Sequence, residues 1–264
     1  MGAAIRALRD TAVLLRHNPI VLGIGWLAFA ALAVIRTVFG LIPLLGTVVS
    51  VFVFPAVAGG VIALVYAGRD GTAGVADFGS GVADNYLRLL AGYVLAGLPI
   101  FVVVFVAAFA FVFVVGMGTG LESRSANAAA GALVWVLLVV GVGLLLGLFW
   151  TAVQFFDVAI VAADDGVVES FSTSLSLFLE APLSVIGFTL LRAAMGVVVL
   201  GGGAAVLWAV GAVGAGTVAE GDPGAALAGF VVALIVYGLV IAPVWRVLSR
   251  TYHVAYFNRR QAAG

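Results

Sequence analysis

Three polar side chains lie in segments that are otherwise apolar, and their chemistry needs an explanation. Arg192 comes ten residues after Pro182. In a membrane-spanning helix that spacing is about 15 Å, which is half the thickness of the hydrocarbon layer. A guanidinium at that depth needs a partner inside the protein. The nearest plausible partners in the sequence are Gln154 and Asp157, on the preceding apolar segment.

Two interpretations of Arg192 follow from this pattern, and the sequence leaves both open. In the first, Arg192 is structural and holds helices together through an ion pair or through backbone carbonyls. In the second, Arg192 forms an anion site for a phosphate or carboxylate group of a lipid or solute. Both interpretations predict that the Arg192→Leu variant loses folding or activity.

The C-terminal segment combines arginines with aromatic residues, a composition typical of the headgroup region of a membrane. This pattern predicts topology anchoring through contacts with anionic headgroups. Nucleic-acid binding is not expected, because the segment is short and the formal net charge of the chain is zero. The candidate headgroup contacts are Arg246, Arg250, Arg259 and Arg260.

Known catalytic signatures are mostly absent from the sequence. The chain has no cysteine and only two histidines, His17 and His253, so neither a thiolate zinc site nor a paired-histidine metalloprotease helix can form. It also has no lysine, which a P-loop requires. We therefore expect no metal, no cofactor and no enzymatic activity.

The composition places the chain among integral membrane proteins. Of its 264 residues, 64% are hydrophobic and only 9% are charged, and the mean hydropathy is +1.28. A soluble domain is about half apolar and about a quarter charged. All twelve basic residues are arginine, a bias typical of GC-rich genomes and of haloarchaea.

Apolar runs of about 20 residues, the length needed to cross the hydrocarbon layer as a helix, occur six times. Short turns separate the runs, so we expect one all-α polytopic domain, residues 1–264, with six transmembrane helices in three hairpins. The predicted spans are Ile20–Phe39, Leu44–Ala67, Leu87–Val115, Leu133–Val161, Leu183–Val213 and Ala225–Leu248.

An amphipathic segment precedes the first, third and fifth spans, and each is predicted to be an interfacial helix. In the third of these arms, Asp164 and Asp165 come directly before the helix, where carboxylates can cap free amides. This arrangement predicts three repeat units, residues 1–67, 68–162 and 163–248, followed by a cytoplasmic tail, residues 249–264.

Arginine placement predicts the orientation of the chain in the cytoplasmic membrane. In a six-span arrangement most arginines lie on the side of both termini, whereas Arg124 and Arg36 lie on the other side. Both termini are therefore predicted to be cytoplasmic.

The order of arms and hairpins resembles a group of six-span proteins that includes the membrane domain of some glycerophosphoryl diester phosphodiesterases and related uncharacterised archaeal proteins. The residues that carry the likeness are Asn18 and Pro19 in the first arm, Asp165 to Ser174 in the third, and Tyr252 to Tyr256 near the C-terminus. The resemblance implies a six-span fold. It implies no phosphodiesterase activity, because the sequence contains no soluble catalytic domain with acidic metal ligands.

These patterns favour a structural or accessory membrane protein that engages membrane lipids, or another membrane protein, through its arms. The alternative is a small permease or a solute-binding membrane component. Charges that line a water-filled route would favour the permease, and charges buried between helices would favour the accessory role. The sequence indicates no oligomeric state.

Overall fold

In the computed structural model of the chain, residues 2–42, 44–69, 71, 73–118, 125–209 and 223–263 are described, and no strand occurs among them. The predicted number of apolar helices is confirmed. Six helical stretches of the described residues are long and apolar enough to cross a membrane, and they are Pro19–Gly40, Leu45–Arg69, Val75–Ala110, Val136–Ala162, Pro182–Ala209 and Leu227–Gln261. Arg124 and the end of the fifth predicted span, residues 210–213, lie outside the described residues.

Ten α-helices and two π-helical segments have both ends within the described residues. In chain order they are α1 (Gly2–His17), α2 (Pro19–Gly40), α3 (Leu45–Arg69), α4 (Val75–Gly118), α5 (Ser125–Val153), α6 (Phe156–Ala162), α7 (Val167–Glu180), α8 (Pro182–Gly196), the first π segment (Val197–Gly201), α9 (Pro223–Val236), the second π segment (Tyr237–Ile241) and α10 (Ala242–Gln261). After the first π segment the chain stays helical to Ala209.

An arm forms a separate helix where a proline begins the span that follows it. The residue before a proline is driven out of the α conformation, and Asn18 and Ala181 have almost the same non-helical backbone, with φ of −126° and −146° and ψ of 69° and 61°. Helices α1 and α7 therefore end at His17 and Glu180, two residues before Pro19 and Pro182.

The second arm is different, because no proline precedes its span. Helix α4 runs without a break from Val75 to Gly118, over 44 residues. The expectation that the second arm forms a separate helix is therefore wrong. The Asn85 side chain donates a hydrogen bond to the Gly81 carbonyl one turn earlier, at 3.3 Å, which keeps it within the helix.

Small residues allow α3 and α4 to pack closely, and these helices share the most extensive contact in the bundle. A Cβ atom added to Gly81 would lie 2.9 Å from the Gly59 carbonyl oxygen, and one added to Gly60 would lie 2.5 Å from the Phe78 ring. Neither distance leaves room for a side chain. The bundle therefore depends on glycine at this crossing.

The C-terminal segment, residues 249–264, is not a free tail. Residues 249–261 form the second half of α10, and they contribute buried side chains to the core, among them Tyr252, Tyr256 and Phe257. The second π segment leads into α10, and its Leu239 carbonyl accepts a hydrogen bond of 2.9 Å from the Trp26 indole. Irregular helix geometry of this kind frees carbonyls for side chains.

Asp164 and Asp165 do not cap α7, as the sequence had suggested. The helix begins after Gly166, and no side chain caps it. Asp164 instead forms a salt bridge of 2.6 Å with Arg88 on α4, and Asp165 accepts a hydrogen bond of 2.7 Å from Thr173. The two carboxylates thus fix α7 to its surroundings through side chains.

Candidate functional site

The fourth span breaks into α5 and α6, and this break positions Asp157. The chain turns at Gln154 and Phe155, where the helical hydrogen-bond pattern stops. Ser174 on α7 repairs the break, because its hydroxyl accepts a hydrogen bond of 3.1 Å from the Phe155 amide and donates one of 2.8 Å to the Ala152 carbonyl. Both backbone groups would otherwise be buried without a partner, which is costly.

Asp157, in the first turn of α6, forms a salt bridge with Arg250 on α10. The exposed fractions of the two side chains are only 3% and 15%. Tyr93 on α4 completes the group, since its hydroxyl donates to Asp157 at 2.6 Å and accepts from Arg250 at 2.9 Å. The Arg250 guanidinium also lies over the Phe54 ring of α3, 5.6 Å from its centre. We call Tyr93, Asp157 and Arg250 the ionic triad.

Arg192 does not form a salt bridge with Asp157, whose Oδ2 atom is bonded to Arg250 and Tyr93. Its Nε instead donates a hydrogen bond of 2.7 Å to Ser249 on α10. The predicted neighbour Gln154 lies at the limit of hydrogen-bond distance, with its Oε1 atom 3.5 Å from the Arg192 Nη1 atom. The Gln154 amide also donates a hydrogen bond of 2.8 Å to the hydroxyl of Thr189, which lies one turn before Arg192. The predicted residues therefore lie in two separate groups around α10. Arg192 and Gln154 are in one group, and Asp157 is in the other.

His253 is a buried polar residue that the sequence analysis did not select. It lies on α10, one turn after Ser249, and is only 3% exposed. Its ring meets the rings of Phe155 and Phe188 edge to face, with centroid distances of 5.1 and 5.0 Å. Among the described residues, neither ring nitrogen has a hydrogen-bond partner. The histidine therefore packs as part of an aromatic cluster.

The four arginines predicted to contact headgroups have four different environments. The prediction that Arg250 contacts headgroups is corrected, because Arg250 is buried in the ionic triad, where Asp157 neutralises it. Arg259 forms two hydrogen bonds with Asp10 on α1, of 2.5 and 2.8 Å, which join the two ends of the chain. Arg260 has a buried Nε atom without a partner among the described residues. Arg246 is exposed, and its guanidinium lies 5.8 Å from the centre of the Phe29 ring.

The arrangement fixes helices rather than activating a nucleophile. Arg250 and Tyr93 both bind the Asp157 Oδ2 atom, while the Oδ1 atom is buried without a hydrogen-bond partner among the described residues, and the three residues come from α6, α10 and α4. A buried pair of this kind depends on both partners, because one charge left alone in a low-dielectric interior is strongly unfavourable. The triad therefore couples the positions of three helices.

Six apolar helices and a buried ionic triad together define an all-helical, multi-pass membrane protein. Residues 3–260 match the model of a family described as a domain of unknown function, DUF7847. The chain belongs to this family, which covers nearly its whole length. No curated protein and no solved structure matches the chain. The family has no assigned function, and the likeness to the phosphodiesterase membrane domain stays a prediction.

Proposed function

We propose that the protein is a non-enzymatic, structural or accessory protein of the cytoplasmic membrane that engages lipids. Helix α1 carries this proposal. One face of α1 is buried against the bundle through Ala4, Ala7 and Thr11, and its main contacts are with α10. Its arginines, which are Arg6, Arg9 and Arg16, are exposed.

This division of α1 suits the surface of an anionic membrane. The face of α1 that is not packed on the bundle carries the three arginines, and each basic residue near anionic headgroups contributes about 1 kcal/mol. In the proposal α1 lies at the cytoplasmic surface, with its arginines toward the headgroups. Asp10 of α1 forms a salt bridge with Arg259 of α10, so α1 is held to the other end of the chain.

The ionic triad itself does not form a transport route. Its charges face other helices, and the exposed fractions of Asp157 and Arg250 are small. A transport route would require charged or polar groups that water and solute can reach.

Lipid retention tests this proposal. The protein is purified with native lipids, and the bound lipids are quantified by mass spectrometry and compared with the whole membrane. We expect anionic lipids to be enriched on the wild type and to lose that enrichment in the Arg6→Gln/Arg9→Gln/Arg16→Gln variant. The matched control replaces the same three arginines with lysine, which keeps the charge. Bound lipids in the same proportions as the membrane would refute the proposal.

A flux assay separates the two functions. Proteoliposomes that contain the protein should release trapped solutes no faster than empty vesicles, and a flux that depends on the protein would establish the permease alternative.

Cysteine labelling tests the orientation, because the chain has no native cysteine. We expect an impermeant maleimide added to intact cells to label Leu41→Cys, whose position is 83% exposed in the turn between α2 and α3. Arg9→Cys and Ser172→Cys, which are exposed on α1 and α7, should stay unlabelled until the membrane is permeabilised. Labelling of Ser172→Cys in intact cells would contradict a cytoplasmic α7.

A further inference from the structure

A cavity of about 610 Å³ lies between α2, α3, α4 and the segment that leads into α10. Its volume is in the range of small-molecule sites. Arg36 of α2 lies near one end of that helix, 17 residues after Pro19, or about 26 Å along the axis. Arg246 approaches from α10 beside Phe29. The cavity therefore extends from the end of α2 that is far from α1 into the bundle.

The charge of this cavity is positive and uncompensated within the described residues. Arg36 and Arg246 line it, and no acidic residue is among the described residues that do so. Neither arginine forms a salt bridge with a described residue. The carboxylates of Asp10, Asp157 and Asp164 pair with other arginines. Two guanidiniums that line one cavity repel each other unless an anion lies between them, so the site favours an anion.

Tyr93 separates the cavity from the charged pair of Asp157 and Arg250. Its ring lines the cavity, but its hydroxyl is already bonded to Asp157 and Arg250. Arg250 lies on the far side of Tyr93, where Asp157 neutralises it, and it is not available to a ligand. The positive charge that a ligand meets comes from Arg36 and Arg246, with hydroxyls of Thr47 and Tyr237 in the same lining.

From these contacts we propose that the cavity binds a phosphate group, held between Arg36 and Arg246. A guanidinium donates two parallel hydrogen bonds to a phosphate, and two guanidiniums match its charge and its number of oxygens. The phosphate comes either from a lipid headgroup or from free inorganic phosphate. Apolar side chains that include Leu32, Val51 and Phe54 form much of the remaining lining. They suit the hydrocarbon part of a lipid.

The test measures the thermal stability of the protein in detergent by intrinsic fluorescence while a probe is added. The probes are phosphatidylglycerol, diacylglycerol with the same chains, sodium phosphate, and sodium chloride at equal ionic strength. Stabilisation by phosphatidylglycerol but not by diacylglycerol or phosphate identifies a lipid source. Saturable stabilisation by sodium phosphate itself identifies free phosphate. Equal effects of all salts, with no effect of phosphatidylglycerol beyond that of diacylglycerol, would overturn the proposal.

Substitutions locate the binding. The Arg36→Gln and Arg246→Gln variants should each bind the phosphate probe about tenfold to hundredfold more weakly, because charged hydrogen bonds are lost. Arg69→Gln, which removes a charge outside the cavity, should bind as the wild type does. If the glutamine variants do not fold, Ala33→Phe provides a second test, since it fills the cavity and keeps both arginines. Binding that survives in Ala33→Phe and in every folded glutamine variant would overturn the proposal.

This site is independent of α1, and the same titrations distinguish the two proposals. The variant with glutamine at the three α1 arginines should keep the phosphate effect if the cavity binds the anion. If that variant alone loses the effect of phosphatidylglycerol, the cavity proposal fails and the proposed function stands.

Discussion

Replacement of Asp157 by leucine removes the carboxylate that neutralises Arg250, and its cost follows from the burial of the pair. Because Arg250 is only 15% exposed, its charge would stay in a low-dielectric interior without a partner. A broken buried pair costs about 3–5 kcal/mol of the free energy of unfolding. Arg250→Met should cost a similar amount, since Asp157 would then be the orphaned charge. The double variant removes both charges with side chains of similar volume.

The double-mutant cycle measures how far these costs overlap. We expect the Asp157→Leu/Arg250→Met variant to lose less than about 3 kcal/mol, because neither charge is orphaned. The coupling free energy should then reach about 3 kcal/mol or more. The assay is reversible unfolding in mixed detergent micelles, followed by the fluorescence of the five tryptophans. A matched cycle on Asp10 and Arg259, which are 41% and 38% exposed, should give less than about 1 kcal/mol.

Additive effects in the Asp157 and Arg250 cycle, within about 0.5 kcal/mol, would refute this reasoning. They would mean that the two charges do not stabilise each other in the folded bundle, whatever their distance.

Three further predictions concern packing, the helix break and the surface pair. Gly81→Val should destabilise the bundle by about 1–3 kcal/mol through overpacking against α3, whereas Gly97→Val, with open space around it, should change stability little in the same unfolding assay. Ser174→Ala should cost about 1–3 kcal/mol, because it leaves buried backbone groups unpaired, and the exposed Ser176→Ala should be nearly neutral. Arg259→Gln should cost less than about 1 kcal/mol, and a repeat at 1 M salt should remove most of the difference.

Hydropathy and proline predicted the six apolar helices and the ends of two arms. The six apolar helices follow from composition, and the limits of α1 and α7 follow from the prolines that begin α2 and α8. The continuity of α4 was missed because polar residues and glycines around Asn85 weaken the apolar pattern without breaking the helix. Composition also misled at residues 249–264. The spacing of Tyr252 and Tyr256, one turn apart, is the signal of a buried face in that segment.

The site was predicted in part. Arg192 and Gln154 are neighbours because the spans that carry them pack together, and depth in the membrane brings such residues to the same level. The partner of Asp157 depends on something else, the rotation and register of α10 against α6, which only the packing of the whole bundle sets. The role of Ser174 could not be predicted from the sequence either. A serine that bridges a helix break occurs in the same sequence pattern as a serine on a solvated face.

The ionic triad has a consequence for the order in which the bundle is assembled. Arg250 is synthesised 93 residues after Asp157, a delay of about 5–20 s at usual rates of translation. During that interval the fourth span is complete and its carboxylate has no arginine from α10. The membrane insertion machinery, water or a transient partner must accommodate the acid until the last span arrives. Closing of the triad is thus a late step of biogenesis, and a chain stalled before α10 would expose its acid to the lipid and to quality-control proteases.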